Sequence, residues 1–292
     1  METPLLYLGL PLDKTRYETA PTVVIPCPYE KTTSFMKGTK EGPRAILEAS
    51  YQVEFYDSEL GEEVWEPGIH TLTPLDFSGL DPKGAVAKIE KEAAKILEDQ
   101  KFPICLGGEH TITAGPVAAC AKKYTNLSIL QIDAHADLRE SYEGSPFSHA
   151  CAMRQSLKFA RKLVGVGIRS VASEEVEFVK GHPGVTLIYD HERRGKVDWI
   201  KRALEGLTDE VYLTVDVDGF DPSLIPATGT PEPGGLSWYE GLDLIRACFQ
   251  NKKVVGADVV ELLPQAGFHA SNFIAAKLVY KLIGYHRRFQ RG

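Results

Sequence analysis

One segment decides the fold class: Leu127-Ser-Ile-Leu-Gln-Ile132, followed directly by Asp133-Ala-His-Ala-Asp137. The first six residues form a short and almost continuously apolar run, which indicates a β-strand buried on both faces. Strands of this kind occur mainly in parallel sheets that are covered by helices. The polar residues that follow mark the point where the strand ends. The segment therefore predicts an α/β fold with polar side chains at the carboxyl edge of its sheet.

The rest of the chain repeats this arrangement. Short apolar runs predict six further strands, at Thr22–Ile25, Phe102–Leu106, Lys162–Val166, Val185–Tyr189, Glu210–Val215 and Lys253–Val259. Helical patterns lie between them, near Pro82–Leu97, Ile112–Lys123, Ser173–Lys180, Val197–Leu207, Ser237–Gln250 and His269–Tyr285. The alternation predicts a parallel sheet with helices on both sides. No linker, repeat or low-complexity segment interrupts the 292 residues, so we expect a single domain over residues 1–292.

Composition excludes several classes of protein. The net charge is −7 and the basic residues are dispersed, which disfavours a nucleic-acid partner and fits a small cationic substrate. No run approaches the ~18 apolar residues that span a bilayer, so we expect no membrane partner. The N-terminal segment has no basic region followed by an apolar core, so we expect no signal peptide and a cytoplasmic location. Five scattered cysteines without a C-x-x-C pair predict neither a disulfide framework nor a zinc ribbon.

Metal-ligating residue types gather where the predicted strands end. Asp133, His135 and Asp137 stand at every second position, so an extended chain would point all three side chains to one side. Three other strand ends supply the remaining candidates, which are His110 after a Gly-Gly pair, the Asp-x-Asp pair Asp216 and Asp218, and Glu261. In open α/β sheets, ligands bind beyond the carboxyl ends of the strands. We therefore expect these side chains to meet.

The candidate ligands comprise four carboxylates and two imidazoles, with no thiolate. One divalent ion could not use all these groups, whereas two ions that share a bridging carboxylate could. Without cations, four clustered carboxylates would repel one another and raise their own pKa values. Oxygen donors with imidazoles suit manganese, and zinc, cobalt, nickel and iron accept the same ligand types. Two such ions ~3.5–4 Å apart can deprotonate a shared water. The residues thus predict a dinuclear metal site that can activate a water molecule.

Three motifs resemble the signatures of the ureohydrolase (arginase/agmatinase) family. They are Gly107-Gly-Glu-His-Thr111, Asp133-Ala-His-Ala-Asp-Leu-Arg139 and Asp216-Val-Asp-Gly-Phe-Asp-Pro222, with residues 227–236 extending the third. Upstream, Thr33-Ser-Phe35 and Gly42-Pro43 resemble the N-terminal loop and first helix of the family. The resemblance covers nearly the whole chain. It implies a three-layer α/β/α fold around a mostly parallel eight-stranded sheet, two Mn²⁺ ions per subunit, and a homo-oligomer that is a trimer or hexamer.

The resemblance also implies roles for individual residues. The metal ligands of the family map onto six positions: His110, Asp133, Asp137 and Asp216 would hold one ion, and Asp133, His135, Asp216 and Asp218 the other. The two carboxylates common to both sets would bridge the ions.

Three further positions match family residues that contact the substrate. Thr230 lies in the segment that lines the guanidinium pocket, and Glu261 matches the glutamate that pairs with the guanidinium. His149 matches the histidine that shuttles a proton to the leaving amine, a task that suits its pKa. The expected catalytic residues are therefore His149 and Glu261.

The resemblance favours agmatine as substrate, cleaved to putrescine and urea in polyamine biosynthesis. The positions at which arginases read the amino-acid end of arginine hold Arg139 and Ala172 here, which weighs against arginine. Arg139 would admit a carboxylate substrate such as formiminoglutamate or guanidinobutyrate, unless it pairs with Glu140 or Glu143. Aminopropylagmatine remains a further alternative. Outside this class, the alternatives are a metal-dependent deacetylase, which would lack the joined motifs, and an inactive binding subunit, which we would expect to have lost a ligand.

Overall fold

A sheet of eight parallel strands forms the centre of the computed structural model, which describes residues 5–290. Residues 1–4 and 291–292, the two ends of the predicted domain, lie outside that range. Residues 1–4 also begin the N-terminal segment in which the sequence predicts no signal peptide. In chain order the strands are β1 Thr22–Cys27, β2 Tyr56–Asp57, β3 Glu62–Glu63, β4 Ile69–Thr71, β5 Phe102–Gly107, β6 Leu127–Ile132, β7 Lys162–Ile168, β8 Val185–Tyr189, β9 Glu210–Asp216 and β10 Lys253–Val260. Strands β2 and β3 form a separate antiparallel ribbon.

The order of the strands brings the polar strand ends together. Across the sheet the order is β4-β1-β5-β10-β9-β6-β7-β8, so β5, β10, β9 and β6 are neighbours at its centre. The register places Val260 beside Asp216, and Ile132 beside Val215. Because all these strands run in the same direction, their carboxyl ends lie at one edge. The residues that follow the four central strands therefore meet at that edge.

Helices cover both faces of the sheet. They are α1 Gly42–Ser50, α2 Pro82–Glu98, α3 Ala114–Lys123, α4 Ala152–Ser156, α5 Ser173–Lys180, α6 Asp190–Arg193, α7 Trp199–Glu205, α8 Trp238–Asn251 and α9 His269–Phe289. One apolar layer joins the sheet to α1, α7, α8 and α9, and the other joins it to α2, α3, α4 and α5. This is the expected three-layer α/β/α arrangement. Within residues 5–290, no helix has the length and apolar character needed to cross a membrane.

Local sequence explains where the longer helices begin. Asp81 caps α2 by accepting a hydrogen bond from Gly84 N, and Pro82 occupies the first turn, where its missing N–H costs nothing. Ser237 and Glu240 form a reciprocal capping box at the start of α8. Both helices then present one apolar side to the sheet. Burial of that side, more than intrinsic propensity, stabilises such helices.

All seven strands read from the sequence are present, with ends shifted by at most two residues. The apolar pattern misses β4, an edge strand of only three residues, although the family resemblance implies the observed count of eight. The predicted helix Val197–Leu207 is shorter, Trp199–Glu205, and follows the short α6. The predicted helix Ile112–Lys123 starts as a 3₁₀ turn at His110–Thr113 and becomes α-helical at Ala114.

Candidate active site

The strand-end motifs need glycine at two close approaches. A Cβ at Gly108 would overlap the backbone of Tyr29, and a Cβ at Gly219 would lie 2.6 Å from Asp133 N. Only glycine lets these turns pack so closely. The first turn brings His110 over the edge of the sheet, and the second brings the end of β9 against the end of β6.

The chain after β6 does not stay extended as far as the motif suggests. Strand β6 ends at Ile132, the chain bends at Ala134, and Asp137 has a left-handed backbone conformation with φ of 52°. An unbroken alternation through Asp137 is therefore wrong. The side chains of the motif still reach a common site, because this turn carries the Asp137 carboxylate back toward His110.

The first group of candidate ligands surrounds His110. Its Nδ1 atom lies 3.2 Å from Asp133 Oδ2, 2.9 Å from Asp137 Oδ2 and 3.5 Å from Asp216 Oδ2. These side chains are almost wholly buried. Nδ1 of His110 is itself buried and makes no geometrically acceptable hydrogen bond within residues 5–290. A buried nitrogen that faces three carboxylates without a hydrogen bond is well placed to be a metal ligand.

The second group surrounds His135. Its Nδ1 atom lies 3.0 Å from Asp218 Oδ2 and 3.6 Å from Asp133 Oδ1. Asp133 thus faces His110 with one carboxylate oxygen and His135 with the other. The ligand atoms of His110, Asp133 and Asp216, and separately those of Asp133, His135 and Asp218, lie within 4.8 Å of one another. The structure therefore brings all six candidate ligands into two groups that share Asp133.

The electrostatics of these groups fit divalent cations. Burial raises the pKa of Asp137 to about 6, with a further contribution from Asp133. Burial also raises the pKa of Asp216 and of Asp218, and the neighbouring carboxylates add to both. Burial has the same effect on Asp133, but the neighbouring His110 and His135 outweigh it and lower its pKa. Divalent cations at this edge would reduce the repulsion between the ionised carboxylates, and the oxygen and imidazole donors are suitable ligands for such cations.

Glu261 and His149 lie beside the first group. Glu261 follows β10 with a φ of 63°, an uncommon conformation for a residue with a side chain. Its Oε1 atom accepts a hydrogen bond from His110 N at 2.7 Å and lies 3.6 Å from His149 Nδ1. Burial disfavours the charged form of His149, but Glu261 outweighs burial and the pKa rises to about 9. Nε2 of His149 is buried without a hydrogen-bond partner in the described part of the chain.

The segment that carries Thr230 lies against the chain that follows β10. The contacts are a bridge between Thr228 and Leu262 and a 2.9 Å hydrogen bond from Leu263 N to Ala227 O. Thr230 itself is half-buried and makes no side-chain hydrogen bond within residues 5–290. Its contact with substrate remains a prediction.

Comparison with known proteins identifies the family. The model of the arginase family matches residues 20–284. The chain belongs to the arginase family. It is 43% identical to an N(1)-aminopropylagmatine ureohydrolase of Synechocystis sp., over 95% of this chain and 92% of that protein. It is 34% identical to an agmatinase of Pyrococcus horikoshii, over 91% and 92%. The crystal structure of agmatine ureohydrolase of Thermoplasma volcanium superposes with a TM-score of 0.86 at 32% identity, over 95% of this chain and 94% of that one.

Arg139 of this arginase-family chain has a different partner from those expected. Its guanidinium pairs with Glu174 at 3.0 Å, and not with Glu140 or Glu143. It also lies over the ring of Tyr142, 5.0 Å from the centroid. Glu174 starts α5, 35 residues along the chain, so neighbouring sequence could not reveal the pair. The charge of Arg139 is thus already met by a carboxylate.

Several polar residues of the site were missed in the sequence. Gln131 donates to Asp133 Oδ2 at 2.8 Å, and the buried Glu109 accepts hydrogen bonds from the backbone and hydroxyl of Thr32. Thr32 Oγ1 in turn accepts from His149 N at 2.9 Å. Gln131 and Asp258 could have been noticed, because each is a polar residue inside an otherwise apolar strand. Nothing in the sequence around Thr32 indicates its contact with His149.

Proposed function

We propose that this protein is a manganese-dependent ureohydrolase that releases urea from a guanidino amine, either aminopropylagmatine or agmatine. The observation that carries the proposal is the arrangement of two imidazole–carboxylate groups, joined at Asp133, beside the pair formed by His149 and Glu261. The names of the relatives support the substrate class, and the relative at 43% identity carries the aminopropylagmatine name. The products would be urea with spermidine or with putrescine.

Six residues would hold the two Mn²⁺ ions. We assign His110, Asp133, Asp137 and Asp216 to one ion, and Asp133, His135, Asp216 and Asp218 to the other. The distances around His110 support the first set, and those around His135 support Asp133 and Asp218 in the second, so Asp133 faces both groups. The second role of Asp216 rests on the family resemblance. When bound, two such cations would lower the pKa of a water that they share and so supply a nucleophile at neutral pH.

Glu261 and His149 would handle the substrate. Oε1 of Glu261 is engaged by His110 N, which leaves Oε2 to accept an N–H of the planar guanidinium. His149 has a pKa of about 9 and is therefore protonated at neutral pH. Its Nε2 atom has no protein partner in the described residues, so its proton is available to the leaving amine. Thr230 would line the guanidinium pocket from the segment beside Glu261.

The pairing of Arg139 favours an amine over a carboxylate substrate. Glu174 already neutralises this guanidinium, so formiminoglutamate or guanidinobutyrate would have to compete for it. The zwitterionic head of arginine would in addition find Ala172 where an acidic residue is expected. The arginase-family match argues against a deacetylase, and all six candidate ligands are present, which argues against an inactive relative.

We further propose one domain, a homo-oligomer and a cytoplasmic location. Strands β10 and β9 from the second half of the chain lie between β5 and β6 from the first half, which supports a single domain over residues 1–292. All five cysteines are buried and free, as expected in a reducing compartment. Mass photometry would test the assembly, which we expect to be a trimer or hexamer.

The function is tested by urea release from the Mn²⁺-loaded protein. The panel contains aminopropylagmatine, agmatine, arginine and guanidinobutyrate, with formamide release measured from formiminoglutamate. We expect kcat/KM to be highest for one of the two amines. Activity confined to the carboxylate substrates would overturn the substrate class and leave the metal assignment intact. An Asp133→Asn variant serves as the metal-site control and should lose activity on every substrate.

A further inference from the structure

A carboxylate lies inside the central strand β10, where apolar residues are expected. Asp258 is flanked by Ala257 and Val259 and is fully buried. Within residues 5–290 it pairs with no lysine or arginine. A buried ionised carboxylate is costly unless several donors satisfy it. The residue therefore needs an explanation that packing of the strand does not give.

Three hydroxyl groups converge on this carboxylate. Thr113 Oγ1 donates to Oδ2 of Asp258 at 2.9 Å, Tyr212 OH donates to Oδ2 at 2.8 Å, and Thr214 Oγ1 donates to Oδ1 at 2.6 Å. All four side chains are buried. Burial raises the pKa of Asp258, and the hydrogen bonds from the three hydroxyl groups oppose the rise. Each of the three hydroxyl groups thus donates its one proton to Asp258, and the carboxylate accepts all three hydrogen bonds.

The hydroxyl of Thr214 links the carboxylate to His110. Its oxygen lies 2.9 Å from His110 Nε2. A hydroxyl has one proton to donate, and Thr214 gives it to Asp258, so toward His110 its oxygen can only accept. Nε2 must then carry a proton. In a neutral imidazole this leaves the lone pair on Nδ1, the atom that lies 2.9 Å from Asp137 Oδ2 in the first ligand group.

The second candidate histidine has no such support. Nε2 of His135 makes no hydrogen bond within the described residues, and its side chain is 26% exposed, against 1% for His110. The hydrogen bonds from Asp258 through Thr214 therefore support His110 and not His135. The contrast gives an internal comparison for any experiment on this site.

We propose that Asp258 and Thr214 are positioning residues that fix the tautomer and ring orientation of His110, and so hold its Nδ1 lone pair toward the metal ion. The inference rests on the proposed role of His110 as a metal ligand. Neither residue touches substrate. Partners of this kind typically change metal affinity by ~10–100-fold when they are removed.

The test compares two substitutions of Thr214 in the full-length protein. Thr214→Val keeps the shape of the side chain but removes the acceptor, and Thr214→Ser keeps the hydroxyl. Thr186→Val, on the edge strand β8, makes the same change away from the site. Mn²⁺ affinity is measured by competition with a chelator. The tautomer of His110 is measured by nitrogen NMR of histidine-labelled, metal-free protein, at a pH above the pKa of this imidazole so that the ring is neutral. A His110→Gln variant assigns the signal.

We expect Thr214→Val to weaken the binding of one Mn²⁺ by ~10–100-fold and to remove the Nε2–H signature of His110. Thr214→Ser and Thr186→Val should bind as the parent protein does. Unchanged affinity and an unchanged tautomer in Thr214→Val would overturn the proposal. If Thr214→Val does not fold, Asp258→Asn is used instead. The amide of asparagine can donate a hydrogen bond to Thr214, whose hydroxyl would then donate to His110 Nε2. An unchanged tautomer of His110 in Asp258→Asn would also overturn the proposal. Parent protein that binds two Mn²⁺ but releases no urea would refute the proposed function and leave this inference standing.

Discussion

Replacement of His149 by asparagine tests the proposed proton donor. The pKa of this imidazole is about 9, two units above neutral pH, so only about 1% of the protein molecules have a neutral His149 at pH 7. Nearly every molecule therefore has a proton at Nε2, which faces no protein partner in residues 5–290. General acid catalysis by a positioned side chain contributes about 10²–10⁴ in rate, or about 3–5 kcal/mol. We expect His149→Asn to lower kcat by that factor.

The assay is urea release at saturating agmatine or aminopropylagmatine between pH 6 and 10.5, with Mn²⁺ content measured for each sample. The parent kcat should hold below pH 9 and fall above it, because deprotonation of His149 removes the donor. His149→Asn should lose that alkaline limb and regain part of its rate with added imidazole. His182→Asn is the matched control, because His182 is an exposed histidine whose Nδ1 atom is hydrogen-bonded to Phe178 O. The role of His149 as proton donor would be refuted if kcat fell less than tenfold at full metal content, or if the kcat of the parent protein did not fall above pH 9.

Three further predictions follow from other contacts. Burial lowers the pKa of His286 to about 4, so on acidification this histidine takes up a proton in the unfolded chain before it does so in the folded protein. The free energy of unfolding should therefore decrease as the pH falls from 6.5 toward 4, by up to about 3 kcal/mol. His286→Phe should remove about that much of the acid loss in denaturant titrations of the metal-loaded protein, and parallel curves for the two proteins would contradict the assignment. Glu174→Gln frees Arg139 and should raise kcat/KM for guanidinobutyrate relative to agmatine about two- to fivefold, the effect of a partly exposed ion pair; a constant ratio would show that Arg139 does not meet the substrate. Thr32→Val removes the acceptor for His149 N and should lower kcat about tenfold at constant Mn²⁺ content, whereas Thr32→Ser should not; equal rates in both variants would argue against this contact as a support for the histidine.

The parts of the fold that could be predicted are those written in local sequence. Strand β6 is recognisable because its six residues are buried on both faces, and the residues after it change character at once. Strand β4 could not be recognised, because three residues show no period and its place depends on pairing with β1. The position of β10 between β5 and β9 is a matter of topology that only the family resemblance could imply.

The candidate site divides in the same way. The six candidate ligands could be selected from motifs, since each stands at the end of a strand or within five residues of it. Two other contacts at the site could not be predicted, because they join distant segments: Arg139 to Glu174, and Thr32 to His149. The left-handed conformation of Asp137 was also hidden, since alternation of side chains presumes an extended backbone. Contacts between loops depend on the packed fold, and a linear pattern holds no record of them.

In the proposed site, Asp133 would join two metal ions at the carboxyl edge of the sheet. The most direct test is anomalous diffraction at the manganese edge from crystals grown with Mn²⁺. We expect two peaks per subunit, one among His110, Asp133, Asp137 and Asp216 and one beside His135 and Asp218, with Asp133 contacting both. A single peak, or two peaks of which Asp133 touches only one, would contradict it.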